Sequence, residues 1–214
     1  MRPALLLATL LLMTPPTDAT ELPTPPDAAR KPHVVAAPFG ATRDDPYYWL
    51  RDDARKAPEM LAYLNAENAY ADAVMAPLQP LQGQLYEEIV GRIKQDDSSV
   101  PYRERGFWYY SRYETGQDYP IHARRPDVVG HYDAAATEEV LLDVNAMAAG
   151  KDYFSVGDYE VTPDNAILAW AEDDVGRRQY TIRFRNLATG EVYPDVITGA
   201  SANLVWADDN RTLF

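Results

Sequence analysis

A turn-and-strand phrase occurs twice in this chain, with a period of about 45 residues, and it restricts the possible folds more than any other feature. The copies span residues 161–169 and 206–214, and each places an Asp-Asn pair just before a short apolar run. Polar turns leading into short strands at this period are typical of β-propeller blades. Because a propeller needs several blades to close, and the second copy is the last segment of the sequence, we expect the chain to be the front part of a larger protein.

Strand-forming chemistry fills the second half of the sequence. The chain has 15 Tyr and 4 Trp, which favour strands, and glycines separate the aromatic and apolar runs where turns need them. Residues 188–191, Ala-Thr-Gly-Glu, predict a hairpin turn. The predicted strands are residues 107–113, 119–125, 139–144, 166–172, 179–186 and 203–207. The predicted fold class is therefore mainly β, a partial β-propeller with an N-terminal α-helical arm.

Aromatic and helical segments precede the strands. Residues 33–55 predict an extended arm whose Tyr47, Tyr48 and Trp49 need a surface to bury against. Two apolar ladders with helical spacing follow, and Pro58 suits the first turn of the first helix. The ladders are Met60, Leu64, Ala71 and Met75, then Leu81, Leu85, Ile89 and Ile93, with Pro77 and Pro80 breaking the helix between them. They predict an αα-hairpin whose apolar stripes pack in a core.

Composition changes divide the chain into five segments. Residues 1–19 combine Arg2 with a short apolar run and a small-residue cleavage site, which predicts a signal peptide and a periplasmic or secreted protein. A disordered leader on a cytoplasmic protein is the alternative. A Pro-rich linker follows at residues 20–32. The remaining segments are the arm and helical hairpin at 33–93, a polar hinge at 94–100 and the incomplete propeller at 101–214.

Charge and cysteine content argue against several classes of function. The net charge of −13 argues against nucleic-acid binding, which needs basic patches. It is compatible with basic ligands, but an acidic surface more often serves solubility. The chain has no cysteine, which excludes disulfides, thiol catalysis and cysteine zinc sites. No segment after the leader is apolar enough to cross a membrane. We therefore expect no nucleic acid, membrane, metal or cofactor partner.

No residue pattern in the chain predicts a catalytic or metal site. Residues 199–203, Gly-Ala-Ser-Ala-Asn, approach the Gly-x-Ser-x-Gly nucleophile elbow but lack its last glycine and the helix that follows it. Ser201 is therefore interpreted as a loop serine, and Ser155 lacks even the first glycine. The histidines have no partner ligand at metal-binding spacing and are interpreted as structural: they are His33, His122 and His131.

Adjacent charged residues are frequent, but they predict no acid–base couple. Neighbouring side chains point in different directions on a helix or strand, so these pairs are interpreted as solvated turns and helix surfaces. The acidic pairs are residues 44–45, 52–53, 87–88, 96–97, 173–174 and 208–209. Arg177 and Arg178 follow Gly176 and are interpreted as a solvated turn, with pairing to carboxylates of a partner domain as the alternative.

Four segments carry a resemblance to a known family. They are residues 47–53 (YYWLRDD), 61–70 (LAYLNAENAY), 139–145 (EVLLDVN) and 171–180 (AEDDVGRRQY). The chain from about residue 33 onward resembles the N-terminal part of the prolyl oligopeptidase family of serine peptidases, and within it the oligopeptidase B group. None of the four segments is catalytic, so they indicate a family and do not by themselves prove an activity.

The resemblance implies an architecture and an activity for the whole protein. It implies a seven-bladed propeller inserted between the helical arm and a C-terminal α/β-hydrolase domain, where the propeller caps the active site. It also implies a serine-type oligopeptidase that cleaves short basic peptides after Arg or Lys. The catalytic Ser, Asp and His would belong to the α/β-hydrolase domain, which is absent from this sequence. We therefore assign no catalytic residue and expect the chain alone to be inactive.

Two other interpretations stay open. A non-enzymatic β-propeller that binds a peptide or protein partner predicts further blade repeats after Phe214 and no nucleophile elbow. A self-contained domain has to account for the apolar, strand-like residues 212–214 at the end of the sequence.

Overall fold

The computed structural model describes residues 22–128 and 130–214, and the chain divides into two compact units. The first unit ends at Gly91, and the second is Arg92–Phe214. The predicted signal peptide at residues 1–19 lies outside the described residues. The fold is mainly β, with an N-terminal helical arm and a partial β-propeller.

A small two-stranded hairpin opens the first unit. Strand β1 (Val34–Ala36) pairs antiparallel with β2 (Thr42–Asp44), and a 3-10 turn at Pro38–Gly40 joins them. A second 3-10 turn at Tyr48–Leu50 carries the aromatic residues of the arm. Trp49 is fixed by a 2.8 Å hydrogen bond from its Nε1 to the Ala29 carbonyl oxygen and by an edge contact with the Tyr63 ring.

The arm helices form one nearly continuous helical run, so the predicted αα-hairpin is wrong. Helix α1 (Pro58–Met75) passes through a 3-10 turn at Ala76–Leu78 into α2 (Gln79–Val90), with right-handed helical dihedrals at the junction. Each proline begins a helical stretch, where a missing N–H costs nothing, and so does not reverse the chain. Among the described residues, no helix combines the length and the apolar character that a bilayer-crossing segment requires.

The predicted burial of the apolar ladders is also wrong. Met60 is the one buried residue of α1 and α2, and Ile93 lies beyond the end of α2. Eight other large apolar side chains of this run are exposed by 39% to 68%, namely Leu61, Leu64, Met75, Leu78, Leu81, Leu85, Tyr86 and Ile89. We call these eight residues the arm stripe. The ladders follow from spacing alone, and spacing does not show what a helix packs against.

The second unit begins with a four-stranded antiparallel sheet. Its strands are β3 (Tyr102–Glu104), β4 (Phe107–Arg112), β5 (Ile121–Pro126) and β6 (Glu139–Asp143), paired in sequence order. A short helix α3 (Val144–Ala148) follows, capped by the Asp143 carboxylate. Residues of the predicted hinge pair with the end of β4, since Ser99 N donates to the Ser111 carbonyl oxygen at 2.8 Å.

A second four-stranded sheet repeats this meander. It contains β7 (Ser155–Val161), β8 (Ile167–Asp173), β9 (Tyr180–Asn186) and β10 (Val192–Ala200), again paired in sequence order. Beyond it, Trp206 and Leu213 form an isolated antiparallel bridge. The described part of the chain therefore contains two blades and the beginning of a further hairpin.

The repeated Asp-Asn phrase forms equivalent turns. Asn165 and Asn210 both have left-handed backbones, with φ of 63° and 57°, a conformation that Asn tolerates better than most residues. The turns also contact each other, because Asp164 N donates a 2.9 Å hydrogen bond to Asn210 Oδ1. The repeat thus places one blade turn directly against the next.

Most of the predicted strands are confirmed, with shifts of one or two residues at their ends. The predicted strand 203–207 is reduced to the bridge at Trp206. The predicted turn at 188–191 is confirmed, since Gly190 has a φ of 75° between β9 and β10. Five strands were not predicted, namely β1 and β2, which lie in the predicted extended arm, and β3, β7 and β10.

Candidate functional site at the blade boundary

A buried arginine joins the two blades. Arg124 on β5 is only 2% exposed, and its Nε donates to Glu139 Oε2 at 2.7 Å. Its Nη1 donates to the Tyr109 hydroxyl at 3.0 Å and to Asn165 Oδ1, in the turn of the second blade, at 2.9 Å. The guanidinium also lies 3.9 Å from the centroid of the Phe107 ring. The planar guanidinium has several donors in fixed directions, which suits it to this arrangement. These contacts hold the second blade in a fixed position against the first.

The turns of the two blades add a second set of inter-blade hydrogen bonds. Asn165 Nδ2 donates to the Arg105 carbonyl oxygen at 3.2 Å, and Arg105 Nη1 donates to the Val161 carbonyl oxygen at 3.1 Å. Each Asn of the repeated phrase therefore links its own turn to a neighbouring one. Beneath these turns lies an apolar core that spans both blades and includes Leu141 and Leu168, which are fully buried.

His122 lies at the same boundary and makes a structural contact. Its Nδ1 is 2.8 Å from Ser111 Oγ, directly across the β4–β5 pair, and its ring centroid is 4.5 Å from that of Tyr159 on β7. In Ser-His-Asp triads the serine contacts Nε2 and a carboxylate contacts Nδ1, so this pair has the wrong arrangement for a nucleophile and its base. Burial lowers the pKa of His122, which favours the neutral ring.

The lowered pKa of His122 predicts a loss of stability in mild acid. The unfolded chain takes up a proton near the ordinary histidine pKa, whereas the folded chain does so only at lower pH. Stability contributed by the neutral ring is therefore present above about pH 6.5 and falls as the pH decreases through that value. Urea unfolding between about pH 7 and about pH 5 should show a smaller decrease for His122→Gln than for the unmodified chain. Equal decreases for the two proteins would contradict this account.

Acidic residues gather along the first strands of the two blades. Burial, followed by repulsion from Asp158 and Glu104, raises the pKa of Glu160. Burial, followed by the charge of Glu104, also raises the pKa of nearby Tyr102 to about 12. The carboxylates lie on the first strand of each blade, and we call this cluster the acidic channel edge because the blades of a closed propeller surround a central channel. Their negative potential favours cationic groups there.

Arg177 and Arg178 are presented by a loop built on one carboxylate. Asp173 is 2% exposed, and its oxygens accept hydrogen bonds from the backbone N–H groups of Val175, Gly176 and Arg178. These bonds fix the loop between β8 and β9, and the carboxylate, buried among backbone donors, has a lowered pKa. The prediction that the acidic pair 173–174 forms a solvated turn is therefore wrong for Asp173, because its side chain is buried.

The other residues considered in the sequence do not converge on one another. Ser201 Oγ contacts Asn203 Oδ1 in an exposed loop, and Ser155 begins β7. The His33 ring stacks on Tyr48 with centroids 4.0 Å apart, and His131 is exposed. Within residues 22–128 and 130–214, no group of three His, Cys, Asp or Glu side chains is placed to hold a metal ion.

Comparison with known proteins identifies the family. Residues 26–214 match the family model described as "Prolyl oligopeptidase, N-terminal beta-propeller domain". The chain belongs to the prolyl oligopeptidase family. It is 64% identical, over 98% of its length, to the dipeptidyl aminopeptidase BI of Pseudoxanthomonas mexicana, and 40% identical, over 79% of its length, to the protease 2 of Moraxella lacunata. It also resembles the solved structure of oligopeptidase B from Leishmania major, with a TM-score of 0.76 and 33% identity over 86% of this chain.

The chain spans only part of each of these relatives. It covers 31% of the Pseudoxanthomonas mexicana protein, 24% of the Moraxella lacunata protein and 27% of the Leishmania major chain. The part of the family that the chain matches is its N-terminal propeller domain. The resemblance carried by the four sequence segments is confirmed for the family, whereas the narrower assignment to the oligopeptidase B group is not.

Sequence reasoning missed the residues that connect the blades. Arg124 lies in an ordinary Arg-Arg pair, and nothing in its neighbourhood shows that it is buried. The Ser111–His122 contact follows from strand register, which a pattern search for adjacent ligands does not consider. The role of Asn165 could have been predicted, because the repeated phrase identified its turn.

Proposed function

We propose that this chain is the arm and lid of a serine-type oligopeptidase that cleaves short peptides after Arg or Lys. The observation that carries the proposal is the pair of four-stranded blades, which are joined at Arg124. They lie within residues 26–214, the part of the chain that matches the family's propeller domain. The catalytic serine, with its base and oxyanion hole, would lie in the part of the longer protein outside this chain. The blades would frame that site and limit the size of its substrates.

The arm stripe supports an absent C-terminal α/β-hydrolase domain as the partner of this chain. Its eight apolar side chains are exposed along α1, the 3-10 turn and α2, and exposed apolar surface concentrated on one element marks a contact site for another domain. A domain that covers the stripe would bury apolar area worth about 25 cal/mol per Å². Residues 94–100 would then act as the hinge that lets the propeller tilt and admit substrate.

The acidic channel edge supports basic peptides as substrates. Glu104, Asp158 and Glu160 lie together, and the chain carries a net charge of −13. A cationic side chain approaching this edge would be attracted and would relieve the repulsion within the cluster. The curated relative with 64% identity is named a dipeptidyl aminopeptidase, so release of N-terminal dipeptides is the second candidate activity. The predicted signal peptide supports a periplasmic or secreted location.

A fusion tests the proposed activity. We expect residues 22–214, joined to the remainder of the Pseudoxanthomonas mexicana relative in place of its own matching segment, to hydrolyse peptides after Arg or Lys and to be blocked by a serine reagent. The 214-residue chain alone should show no turnover. Substrates with a free or an acetylated N-terminus distinguish the candidates, because dipeptide release needs a free amine and internal cleavage does not.

The intact relative is the control for this fusion. A fusion that is monodisperse and unfolds cooperatively, but cleaves neither kind of substrate, would contradict the proposal. Binding of basic peptides by the 214-residue chain, combined with an inactive fusion, would instead support a non-enzymatic propeller that binds peptides.

A further inference from the structure

The two ends of the blades are distinguished by their contacts. At one end lie the turns that join the first two strands of each blade, where Arg105 contacts Asn165. We call this the turn end. At the opposite end, residues 97–99 pair with the end of β4, and Ser99 N donates to the Ser111 carbonyl oxygen at 2.8 Å. We call this the hinge end, because the predicted hinge reaches the first blade there.

A loop with two arginines lies at the hinge end of the second blade. Residues 174–179 join β8 to β9, and the seven residues of β8 separate them from the turn end by about 20 Å. Arg177 and Arg178 lie in this loop, whose residues are all exposed, and we call it the arginine loop. The matching loop of the first blade, residues 113–120, is acidic and has no basic residue. The arginine pair is therefore a feature of one blade and not a requirement of the fold.

The backbone of the arginine loop is held in place by its surroundings. The buried Asp173 carboxylate accepts hydrogen bonds from three backbone N–H groups of the loop, including that of Arg178 at 2.7 Å. The Tyr153 ring lies 3.6 Å from the position that a Cβ would take at Gly176. Arg178 has a left-handed backbone, with a φ of 55°, which is uncommon for a residue with a long side chain. A fixed backbone limits the region that the guanidinium groups can reach, which lowers the entropy lost when they bind an anion.

The Arg178 side chain forms no ion pair within the part of the chain that the structure describes. By contrast, the arginines on the blade strands and in the β3–β4 turn all have acceptors within the chain, and these are Arg103, Arg105, Arg112, Arg124, Arg125, Arg183 and Arg185. A guanidinium presents a planar fork of donors that matches a carboxylate. The arginine loop therefore offers a binding group for a carboxylate from outside this chain.

We propose that the arginine loop binds the C-terminal carboxylate of short peptide substrates. The proposal rests on the proposed function, in which the blades frame the active site of a peptidase for basic peptides. Such a peptide brings both a cationic side chain and a carboxylate to a chain with a net charge of −13. The acidic channel edge attracts the cationic side chain, and the arginine loop offsets the repulsion of the carboxylate. Together the two features orient the peptide.

Binding of a terminal carboxylate also selects substrates by length. A peptide gains the contact only if its C-terminus reaches the arginine loop while its scissile bond lies at the catalytic serine. A longer peptide places an uncharged peptide group there instead. The rival partner of the arginine loop is an acidic side chain of the absent domain. That side chain would be present with every substrate, so it would not distinguish a free C-terminus from an amidated one.

Equilibrium binding tests the proposal without requiring turnover. The protein is the fusion with the remainder of the Pseudoxanthomonas mexicana relative, with its catalytic serine replaced by alanine. The probes are N-acetylated pentapeptides with a central arginine, ending in a carboxylate or in an amide. Titration calorimetry should show about tenfold tighter binding of the free acid, as expected for a hydrogen bond to a charged group. Arg178→Gln should remove most of this preference, and the double variant with Arg177→Gln all of it. Arg178→Lys should keep part of it, because lysine retains the charge but not the fork.

A matched arginine at the turn end provides the control. Arg211 is exposed and follows Asn210, whose side chain contacts the neighbouring turn, so Arg211→Gln changes the net charge equally at the opposite end. It should leave the preference unchanged. Equal binding of the two peptides by the fusion would overturn the proposal, and so would a preference that survives the double variant. An equal loss of affinity for both peptides in Arg178→Gln would also overturn it, since that result indicates an ion pair with the absent domain.

The proposed function and the carboxylate site can fail separately. With the catalytic serine intact, an inactive fusion that still prefers the free acid through Arg178 would contradict the peptidase activity only. An active fusion without the preference would contradict the carboxylate site only. A fusion that neither binds nor cleaves these peptides would contradict both.

Discussion

Replacing Arg124 with alanine is expected to lower the free energy of unfolding of the 214-residue chain by about 3–5 kcal/mol. The guanidinium is 2% exposed and binds Glu139, the Tyr109 hydroxyl and Asn165 Oδ1. Its removal leaves a carboxylate and two polar oxygens without their donor at a buried boundary, and that is more costly than the loss of the bonds themselves. Urea unfolding followed by tryptophan fluorescence measures the change.

A matched arginine provides the control for this substitution. Arg183 binds Glu172 at 2.6 Å, but its side chain is 40% exposed, so Arg183→Ala should cost only about 0–1 kcal/mol. A second variant, Asn165→Ala, removes one acceptor of Arg124 and the bond to the Arg105 carbonyl oxygen while leaving the charge paired with Glu139. Its loss of unfolding free energy should lie between the losses for Arg124→Ala and Arg183→Ala. Similar losses for Arg124→Ala and Arg183→Ala would show that the buried arginine does not hold the blades together.

The blade strands were predictable where aromatic and β-branched residues dominate a run. Strand β4 reads Phe-Trp-Tyr-Tyr-Ser-Arg and β9 reads Tyr-Thr-Ile-Arg-Phe-Arg-Asn, and both were placed to within one residue. Strand β10 was missed because it contains Pro194 and Gly199, which normally end a strand. It tolerates them because it is the edge strand of its sheet and its register with β9 is interrupted.

The helical arm was predicted correctly as local structure and wrongly as tertiary structure. Spacing of apolar residues indicates a helix but is silent on the partner of its apolar face. Pro77 and Pro80 were interpreted as breaks, yet a proline in a first turn continues the chain direction. Exposure of the arm stripe was beyond sequence reasoning, because it depends on tertiary contacts that helical spacing does not encode.

The inter-blade contacts depend on residues far apart in sequence. Asn165 reaches Arg105, and Trp206 Nε1 donates to the Glu160 carbonyl oxygen at 3.2 Å. Sequence periodicity located the turns at about one repeat apart but gave no indication of which atoms would meet across them. The connection between blades is therefore a property of the stacked repeats, and a single repeat does not encode it.

Adding a single methyl group to a glycine on β7 is expected to lower the stability of the chain. A Cβ added at Gly157 would lie 2.5 Å from Cε1 of Tyr180 and 2.6 Å from Cβ of Ala202. Tyr180 and the residues near it pack against the core that begins the next blade, so its ring has little freedom to move. Gly157→Ala should therefore destabilise the chain by about 1–3 kcal/mol, and Gly157→Val by more.

The same substitution in the helical arm should have the opposite sign. Gly83 lies inside α2, and no atom is within 4 Å of the position that its Cβ would take. Gly83→Ala should raise the free energy of unfolding by about 0.5–1 kcal/mol, because alanine loses less backbone entropy in a helix. Chemical denaturation of both variants under identical conditions compares them directly. If Gly157→Ala were neutral, the close approach of Tyr180 to β7 would not be a feature of the folded blade, and the second blade would not pack tightly against the hairpin that follows it.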